Sequence, residues 1–433
     1  MDYARRLRER ARRGDPVRVA VVGMGKFATM FASRIPHTPG LELAAVVDLD
    51  PARAARNLRA AGWGEADLAR IRFARDPERV LDGTAVDVVV EATGDPLAAV
   101  RHALAAFARG LPVVMVSVEA DALCGPALAA EAARAGVGYA LAWGDQPALV
   151  WDLVEWARSC GLRVVAAGKG TKYLPVYHAS TPETVWEHYG IGPERARAGG
   201  MNPKMFNSFL DGTKSAIEMA AVANATGLAV PRDGLLFPPA GTHRLPSVLR
   251  PAAEGGVLER AGMVEVVSSL ERDGTPVADD LRWGVYVVFT AEDDYARRCF
   301  EEYGLVTDTT GRYAALWRPF HLIGLELAPS VAALALDGRP TGTPLTWRGD
   351  VVACAKRDLA AGEQLDGEGG ATVWGRLVPA SRSHEEGLLP IGLAHGVRLA
   401  RPVAAGAPVR VEDLEALPES EALRLRRRLV PDY

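Results

Sequence analysis

Between Asn202 and Gly227, Lys204, Asn207, Asp211, Lys214 and Glu218 have the types and spacing for acid–base and electrostatic chemistry. Their steps of three and four residues place them on one side of a helix. At about 100° per residue they span an arc of roughly 80°, with Ser208 and Ser215 at its edge. Asn202 followed by Pro203 reads as an N-cap with proline at the first helical position, and Gly227 is placed to end the helix. The other positions are mostly apolar (Phe206, Phe209, Leu210, Ile217, Met219, then AAVA), the inverse of a surface helix. A buried helix carries charges only where they pair, bind a ligand or line a cavity. One reading is a structural ion-pair row such as Asp211–Lys214 or Lys214–Glu218. The other, preferred here, is the wall of an active site. There the Lys214 ammonium would stabilise a developing alkoxide, and Asp211 or Glu218 would move a proton, burial raising the carboxyl pKa.

A second constellation lies upstream, in Gly168-Lys169-Gly170-Thr171-Lys172 with His178 six residues beyond. The spacing is not that of a Walker phosphate loop. Two lysines and a threonine among glycines can still hold a phosphate through side chains and exposed N–H groups. Lys169, Thr171, Lys172 and His178, with Asn207 and Ser208 from the striped helix, are the candidate substrate contacts, and Lys204 joins Lys172 and His178 as a holder of an anionic end. Each taken alone also reads as an ordinary surface residue.

A third constellation is backbone chemistry. VRVAVV (17–22) is an apolar run fit for a strand buried on both faces, and Gly23-Met24-Gly25-Lys26-Phe27-Ala28 follows it as G-x-G-x-x-A before a helical pattern. The first glycine permits the tight turn, the second lets a pyrophosphate approach, and Ala28 lets helix and strand pack closely. The next apolar run, LELAAVVDLD, ends in Asp48, where a ribose hydroxyl acceptor is expected. Asp48 leans toward NAD; Arg53 and Arg56 could instead hold the 2′-phosphate of NADP, and the choice stays open. AVDVVVEATG (85–94) reads as a strand ending at Thr93-Gly94. LPVVMVSVEADAL (111–123) reads as the next strand, carrying Ser117, Glu119 and Asp121, and VGYALAWGDQPAL (137–149) as the last, with Gln146 at its turn. These carboxyl ends should face the cofactor. Glu119 and Asp121 also fit a helix cap, as does Asp145.

The elements that must position these groups follow from pattern and length. At 433 residues the chain should hold two or three domains. The expected fold is α/β: a Rossmann domain over 1–150, an α+β catalytic domain over 151–340 and a small β-rich domain over 341–433. In the second, 262–291 reads as two strands around a turn at Asp273-Gly274, within an open mixed sheet, and HLIGLELAPSVAALAL (321–336) as an apolar helix carrying His321 and Glu326. In the third, two similar phrases around A-A-G turns suggest an internal repeat with no cluster of catalytic residue types. The net charge of −4 argues against a general nucleic-acid binder, and no apolar run reaches membrane-spanning length. Four scattered cysteines without C-x-x-C spacing suit a reducing cytoplasm. The basic N-terminus reads as a short leading helix, and the tail LRLRRRLVPDY as a solvated one.

The phrases VEADAL, GDQPAL, AAGKGTKYLPVYHAST, MFNSFLDGTKSAIEMAAVANATGL, SSLERDG, LRWGVYV, EYGLVTD and WRPFHLIGLE resemble the deoxyxylulose-phosphate reductoisomerase-like oxidoreductases, relatives of homoserine dehydrogenase with a C-terminal antifreeze-like (SAF) domain. The resemblance implies a homoserine-dehydrogenase-like catalytic domain, an NAD(P)H cofactor, a homodimer and a small, phosphorylated anionic substrate. Its best-described branch converts 1-deoxy-D-xylulose 5-phosphate to 2-C-methyl-D-erythritol 4-phosphate for isoprenoid synthesis, with NADPH. For that isomeroreduction, Mg2+ or Mn2+ held by Asp211 and Glu218 would chelate the vicinal oxygens, although the spacing itself demands no metal. Homoserine is disfavoured, because Val118-Glu119 stands where that family has Asn-Lys. Two alternatives remain: a dehydrogenase of another small sugar acid or polyol, and a non-catalytic dinucleotide sensor with a SAF binding module.

Overall fold

The computed structural model describes residues 2–432. Short, mostly apolar runs form β1 (Val17–Val22), β2 (Leu41–Val47), β3 (Arg72–Ala74), β4 (Val88–Glu91), β5 (Val113–Met115) and β6 (Tyr139–Leu141). They pair in parallel in the order β3-β2-β1-β4-β5-β6. The strand order reverses between β1 and β4, which opens the crevice where doubly wound sheets take ligands. This sheet belongs to a compact unit of residues 1–152, 321–345 and 420–429. Leu7 of the leading helix Tyr3–Arg12 is buried in it, and Arg6 pairs with Asp337 at 2.6 Å. Leu327, Val331, Ala332 and Leu334 join the same core.

Three expectations change in this unit. The apolar run 111–123 is not one strand: β5 stops at Met115, and a helix runs Val118–Arg134 from Ser117 at its N-cap. Apolar periodicity alone does not separate a buried strand from a buried helix, and the alanine-rich stretch after Ser117 favours the helix. The helix expected over 321–336 spans Ala328–Asp337, because Gly324 turns at φ +70°. A Cβ there would sit 2.4 Å from the Phe27 carbonyl oxygen. The basic tail is not simply solvated: the helix Glu421–Arg426 buries Ala422, Leu423 and Leu425, and Arg426 donates to the Leu123 carbonyl at 2.8 Å.

The second unit comprises residues 153–320, 346–419 and 430–433. Its mixed sheet is built from β7 (Arg163–Thr171), β8 (Met263–Ser268), β9 (Val285–Thr290), β10 (Val306–Thr307) and β11 (Ala314–Arg318), in the order β10-β11-β9-β7-β8. The segments 263–268 and 285–290 do not pair with each other; β7 lies between them, parallel to one and antiparallel to the other. A small Leu270–Pro276 bridge closes the turn at Asp273-Gly274. The stretch Gly168-Lys169-Gly170-Thr171 forms the end of β7. Gly168 and Gly170 lack the Cβ that would collide with the carbonyls of Glu265 and Leu281, so neighbouring segments of the chain close on them.

The single helix expected over 203–226 is two, Pro203–Leu210 and Thr213–Thr226, broken at Gly212 with φ +91°. An L side chain rarely adopts that φ, whereas glycine does so at little cost. The C-terminal strands β12 (Gly349–Ala355), β13 (Gln364–Asp366), β14 (Val373–Pro379) and β15 (His395–Arg398) form two antiparallel pairs, β12–β14 and β13–β15. The helix Thr213–Thr226 packs on β8, β12 and β14.

Candidate active site

The glycine turn after β1 is shaped by contacts on one side and by space on the other. Gly23 has φ +89°, and a Cβ on it would lie 2.7 Å from the Ala92 carbonyl oxygen. A Cβ on Gly25 would meet no atom within 4 Å, and the exposed Lys26 and half-buried Phe27 continue into the helix Lys26–Ala32. Asp48 is 5% exposed, and its carboxylate accepts the Met24 N–H at 2.9 Å, tying the end of β2 to the turn. It also accepts the Asp50 N–H and an Arg53 N–H, both at 2.9 Å. Asp48 and Arg53, rivals for the ribose when read from sequence, are therefore partners, with Arg53 still half exposed. This cradle fits a dinucleotide pyrophosphate: the backbone is bare where the phosphates would approach and rigid behind.

At the ends of β4 and β5, the Gly94 N–H donates to Ser117 Oγ at 2.8 Å, and the Thr93 hydroxyl donates to Glu91 Oε1 at 2.7 Å. Thr93, Gly94 and Ser117 are thus brought together. Glu91 and His102 were missed. Glu91 is fully buried, His102 Nδ1 stands 3.1 Å from its Oε1, and its Oε2 meets no hydrogen-bond partner among the described residues. A lone acid closing an apolar strand was the available signal. Glu119 lies half-buried in the first turn of the helix Val118–Arg134, and Gln146 is buried at the start of the helix Gln146–Ser159. Asp121 is no cap. It is fully buried against the Tyr139 hydroxyl at 2.8 Å, and burial pushes its carboxyl up to about 7.

In the second unit, the polar stripe is dealt out to separate partners. Lys169 of β7 pairs with Glu218, both buried. Asp211 pairs with Lys356 at 2.8 Å, and Lys356 also donates to the carbonyls of Ser180 and Gly370 at 2.6 and 2.7 Å. Burial raises the Asp211 carboxyl, and the lysine opposes it. The Asn207 amide donates to Ser180 O and Gly369 O at 3.1 and 3.0 Å, and its oxygen accepts the Ser180 hydroxyl at 2.6 Å. Ser208 donates to Glu368, and Lys204 to the Asp366 carbonyl at 3.1 Å. The break at Gly212 puts the two halves of the stripe out of phase, so they form no continuous row. Lys356, at the foot of the apolar strand β12, was the missed residue; a single lysine after VVACA was its only signal.

Thr171 is half-buried at the end of β7, and Lys214 is half-buried one turn before Glu218. Lys172 donates to the His188 carbonyl between the rings of Tyr177 and Tyr189, whose centroids are 5.9 and 5.3 Å away. Burial, with Arg282 nearby, lowers its ammonium pKa. His178 has both ring nitrogens engaged, Nδ1 at 2.7 Å from the Asp211 carbonyl and Nε2 at 2.9 Å from the Tyr173 hydroxyl. Burial pushes it down to about 4, so it stays neutral near pH 7. A divalent metal on Asp211 and Glu218 does not fit this arrangement, since each carboxylate is neutralised by its own lysine. Nor do the described residues place three or more His, Cys, Asp or Glu to hold one elsewhere.

Three family models match successive segments. Residues 17–116 match the oxidoreductase family with an NAD-binding Rossmann fold, residues 144–327 the catalytic domain of oxidoreductase DRL, and residues 350–415 the SAF domain. Among solved structures, the chain is similar to an oxidoreductase from Agrobacterium radiobacter in complex with NAD+, L-tartaric acid and magnesium (19% identity over 36% of this chain and 44% of that one, TM-score 0.27). It is also similar to the WlbA dehydrogenase from Bordetella pertussis in complex with NADH and UDP-GlcNAcA (21% identity, 37% and 47%, TM-score 0.27). A third is a probable dehydrogenase from Thermotoga maritima (13% identity, 75% and 90%, TM-score 0.38). The chain spans less than half the length of the first two. No curated protein sequence matches it. With the cradle at Gly23–Phe27, the matched segments define the class: an NAD(P)-dependent oxidoreductase. The matched segments, in order, are those of a Rossmann fold, a DRL catalytic domain and a SAF domain.

Proposed function

We propose that the protein acts in the cytoplasm, as a homodimer, to transfer hydride between NAD(P) and a small anionic carbonyl or hydroxy compound. The observation that carries this reading is the open backbone at Gly25, with Asp48 holding the turn from behind. Gly23–Phe27 would seat the pyrophosphate, Asp48 and Arg53 the adenosine ribose, and Thr93, Gly94 and Ser117 the nicotinamide end. The bound cofactor supplies or accepts the hydride. In the second unit, Lys214 would hold the oxygen that gains charge, and the Glu218–Lys169 pair one turn away would take or return its proton. Lys172, cupped by two tyrosines, would hold the anionic end. Asp211 is left out of the proton path because Lys356 and the Thr213 N–H occupy its carboxylate.

Within this class, 1-deoxy-D-xylulose 5-phosphate is the first substrate to test, on the strength of the sequence resemblance. A sugar-acid or polyol dehydrogenase is the second reading, and the neutralised Asp211 and Glu218 favour it, because plain hydride transfer needs no metal chelate. NADPH oxidation with the sugar phosphate, with and without Mg2+ or Mn2+, separates the two. Metal-dependent formation of the branched polyol phosphate selects the first reading; metal-independent turnover of a sugar acid or polyol alone selects the second. Under either, Lys214→Ala should lower kcat by about 10²–10³, the usual cost of losing one oxyanion-stabilising donor. Dinucleotide affinity should stay unchanged, and undiminished turnover would remove Lys214 from the mechanism.

A further inference from the structure

The second unit carries a half-open pocket of about 210 Å³ that the redox reading leaves unused apart from His178 at its edge. Segments 144–327 and 350–415 build it together. From β14, Trp374 and Arg376 are two residues apart and so project from the same face of the strand. The Trp374 ring stacks on His178 at 3.8 Å between centroids, and the Arg376 guanidinium lies 5.2 Å from the Trp374 ring centre, anchored by one N–H to the Gly406 carbonyl at 2.9 Å. Phe237, also in the lining, stacks on Tyr173 at 4.0 Å.

The turn that carries Phe237 is held in an unfavourable conformation. Phe237 has φ 50°, one of two non-glycine residues with positive φ among those described, and Gly234 beside it has φ +102°. A bulky residue in that region is strained and persists only where its surroundings impose it. Glu265 imposes it: its fully buried carboxylate accepts the N–H groups of Leu236 at 3.1 Å and Phe237 at 3.3 Å. A buried acid is thus committed to shaping one wall of a cavity.

The cavity is made for binding rather than reaction. Both nitrogens of His178 are occupied, so it offers only its ring. Asp233 is paired with Arg382 at 2.8 Å, which leaves Arg376 as the charge that a ligand would meet. Pockets for drug-sized molecules run to about 300–1,000 Å³, so this one admits only something smaller. Flat aromatic walls call for a flat body, and one planar guanidinium matches a singly charged carboxylate better than a phosphate dianion.

We propose that this cavity binds a small planar carboxylate of benzoate or pyridine-carboxylate size, set against Phe237 and the edge of Trp374 with its carboxylate on Arg376. The site is independent of the hydride-transfer assignment.

Isothermal titration of the full chain with benzoate tests it, with cyclohexanecarboxylate (charge without planarity) and benzamide (planarity without charge) as parallel ligands. Saturable benzoate binding is expected, at least tenfold tighter than either analogue. It should weaken at least tenfold in Arg376→Gln and in Trp374→Leu, and remain in Asp233→Asn. Unchanged NADPH binding and unfolding midpoint in Arg376→Gln, whose side chain is partly exposed, separate lost binding from lost folding. No saturable benzoate binding, or equal binding in Arg376→Gln with the fold intact, overturns the proposal.

Discussion

At the turn after β1, the polar groups that matter are backbone N–H groups, and the chain leaves space in front of them: a Cβ on Gly25 would touch nothing. In the second unit, the polar groups are charged side chains, and protein closes around them until Lys169 meets Glu218 and Lys356 meets Asp211. Both regions have the composition of a site. They differ in what lies in front of them, open space in the first and the protein itself in much of the second. Buried charge is therefore a weaker sign of a ligand than bare backbone. A desolvated charge must be balanced by something, and a distant lysine of the same chain serves as well as a substrate.

The largest effect expected from this contrast is at Lys356. Lys356→Met leaves Asp211 charged and enclosed, and should cost about 3–5 kcal/mol in urea unfolding, as one-sided loss of a buried pair does. Lys356→Met with Asp211→Leu should recover most of it. A single variant as stable as the parent would mean that Asp211 is open to substrate after all.

The two glycines of the turn should separate stability from binding. Gly23→Ala places a Cβ against Ala92 at φ +89° and should cost about 1–3 kcal/mol. Gly25→Val should leave stability within about 0.5 kcal/mol. It should nevertheless weaken NADPH binding in a fluorescence titration, because the pyrophosphate can no longer approach. Intact binding in Gly25→Val would move the cofactor elsewhere.

Arg53 offers a finer test. If it reaches past Asp48 to a 2′-phosphate, Arg53→Ala should lower affinity for NADPH more than for NADH. Equal losses would leave it only the task of holding Asp48.

A further test is the pH dependence of stability. Glu265 and Asp121 are both pushed up to about 7 by burial. Their folded-state pKa values lie above the unfolded values of 4.5 and 3.8, so the stability they contribute is complete below those values and is lost as pH rises through about 7. His178 acts in the other direction: lowered from 6.5 to about 4, it contributes stability above pH 6.5 that is lost as pH falls through about 4. Glu265→Gln should flatten the fall in unfolding free energy between pH 4.5 and 7. An unchanged profile would show that its carboxyl titrates normally.

Legibility followed the range of the interactions. Val17–Val22, the glycine turn and Asp48 could be read because a parallel strand, a tight turn and the next strand's end are set within about thirty residues. The break at Gly212 was written in the chain, but on either side Phe209, Leu210 and Ile217 keep a helical apolar pattern that hides a single left-handed residue. Glycines such as those of Gly168-Lys169-Gly170-Thr171 usually mark turns. Here they mark the close approach of neighbouring segments of the chain, which depends on strands about a hundred residues later.

By itself, the sequence determined the parallel strands of the first sheet, the glycine turn after its first strand and the presence of charges on a buried helix. Each rests on local backbone preference or on apolar periodicity. The tertiary structure alone decided which charges are spoken for. Asp211 and Lys356 are 145 residues apart, and Lys169 and Glu218 are 49. No local rule joins such pairs, since the free energy that joins them is the cost of burying each charge alone, and that cost arises only once the chain has folded around both.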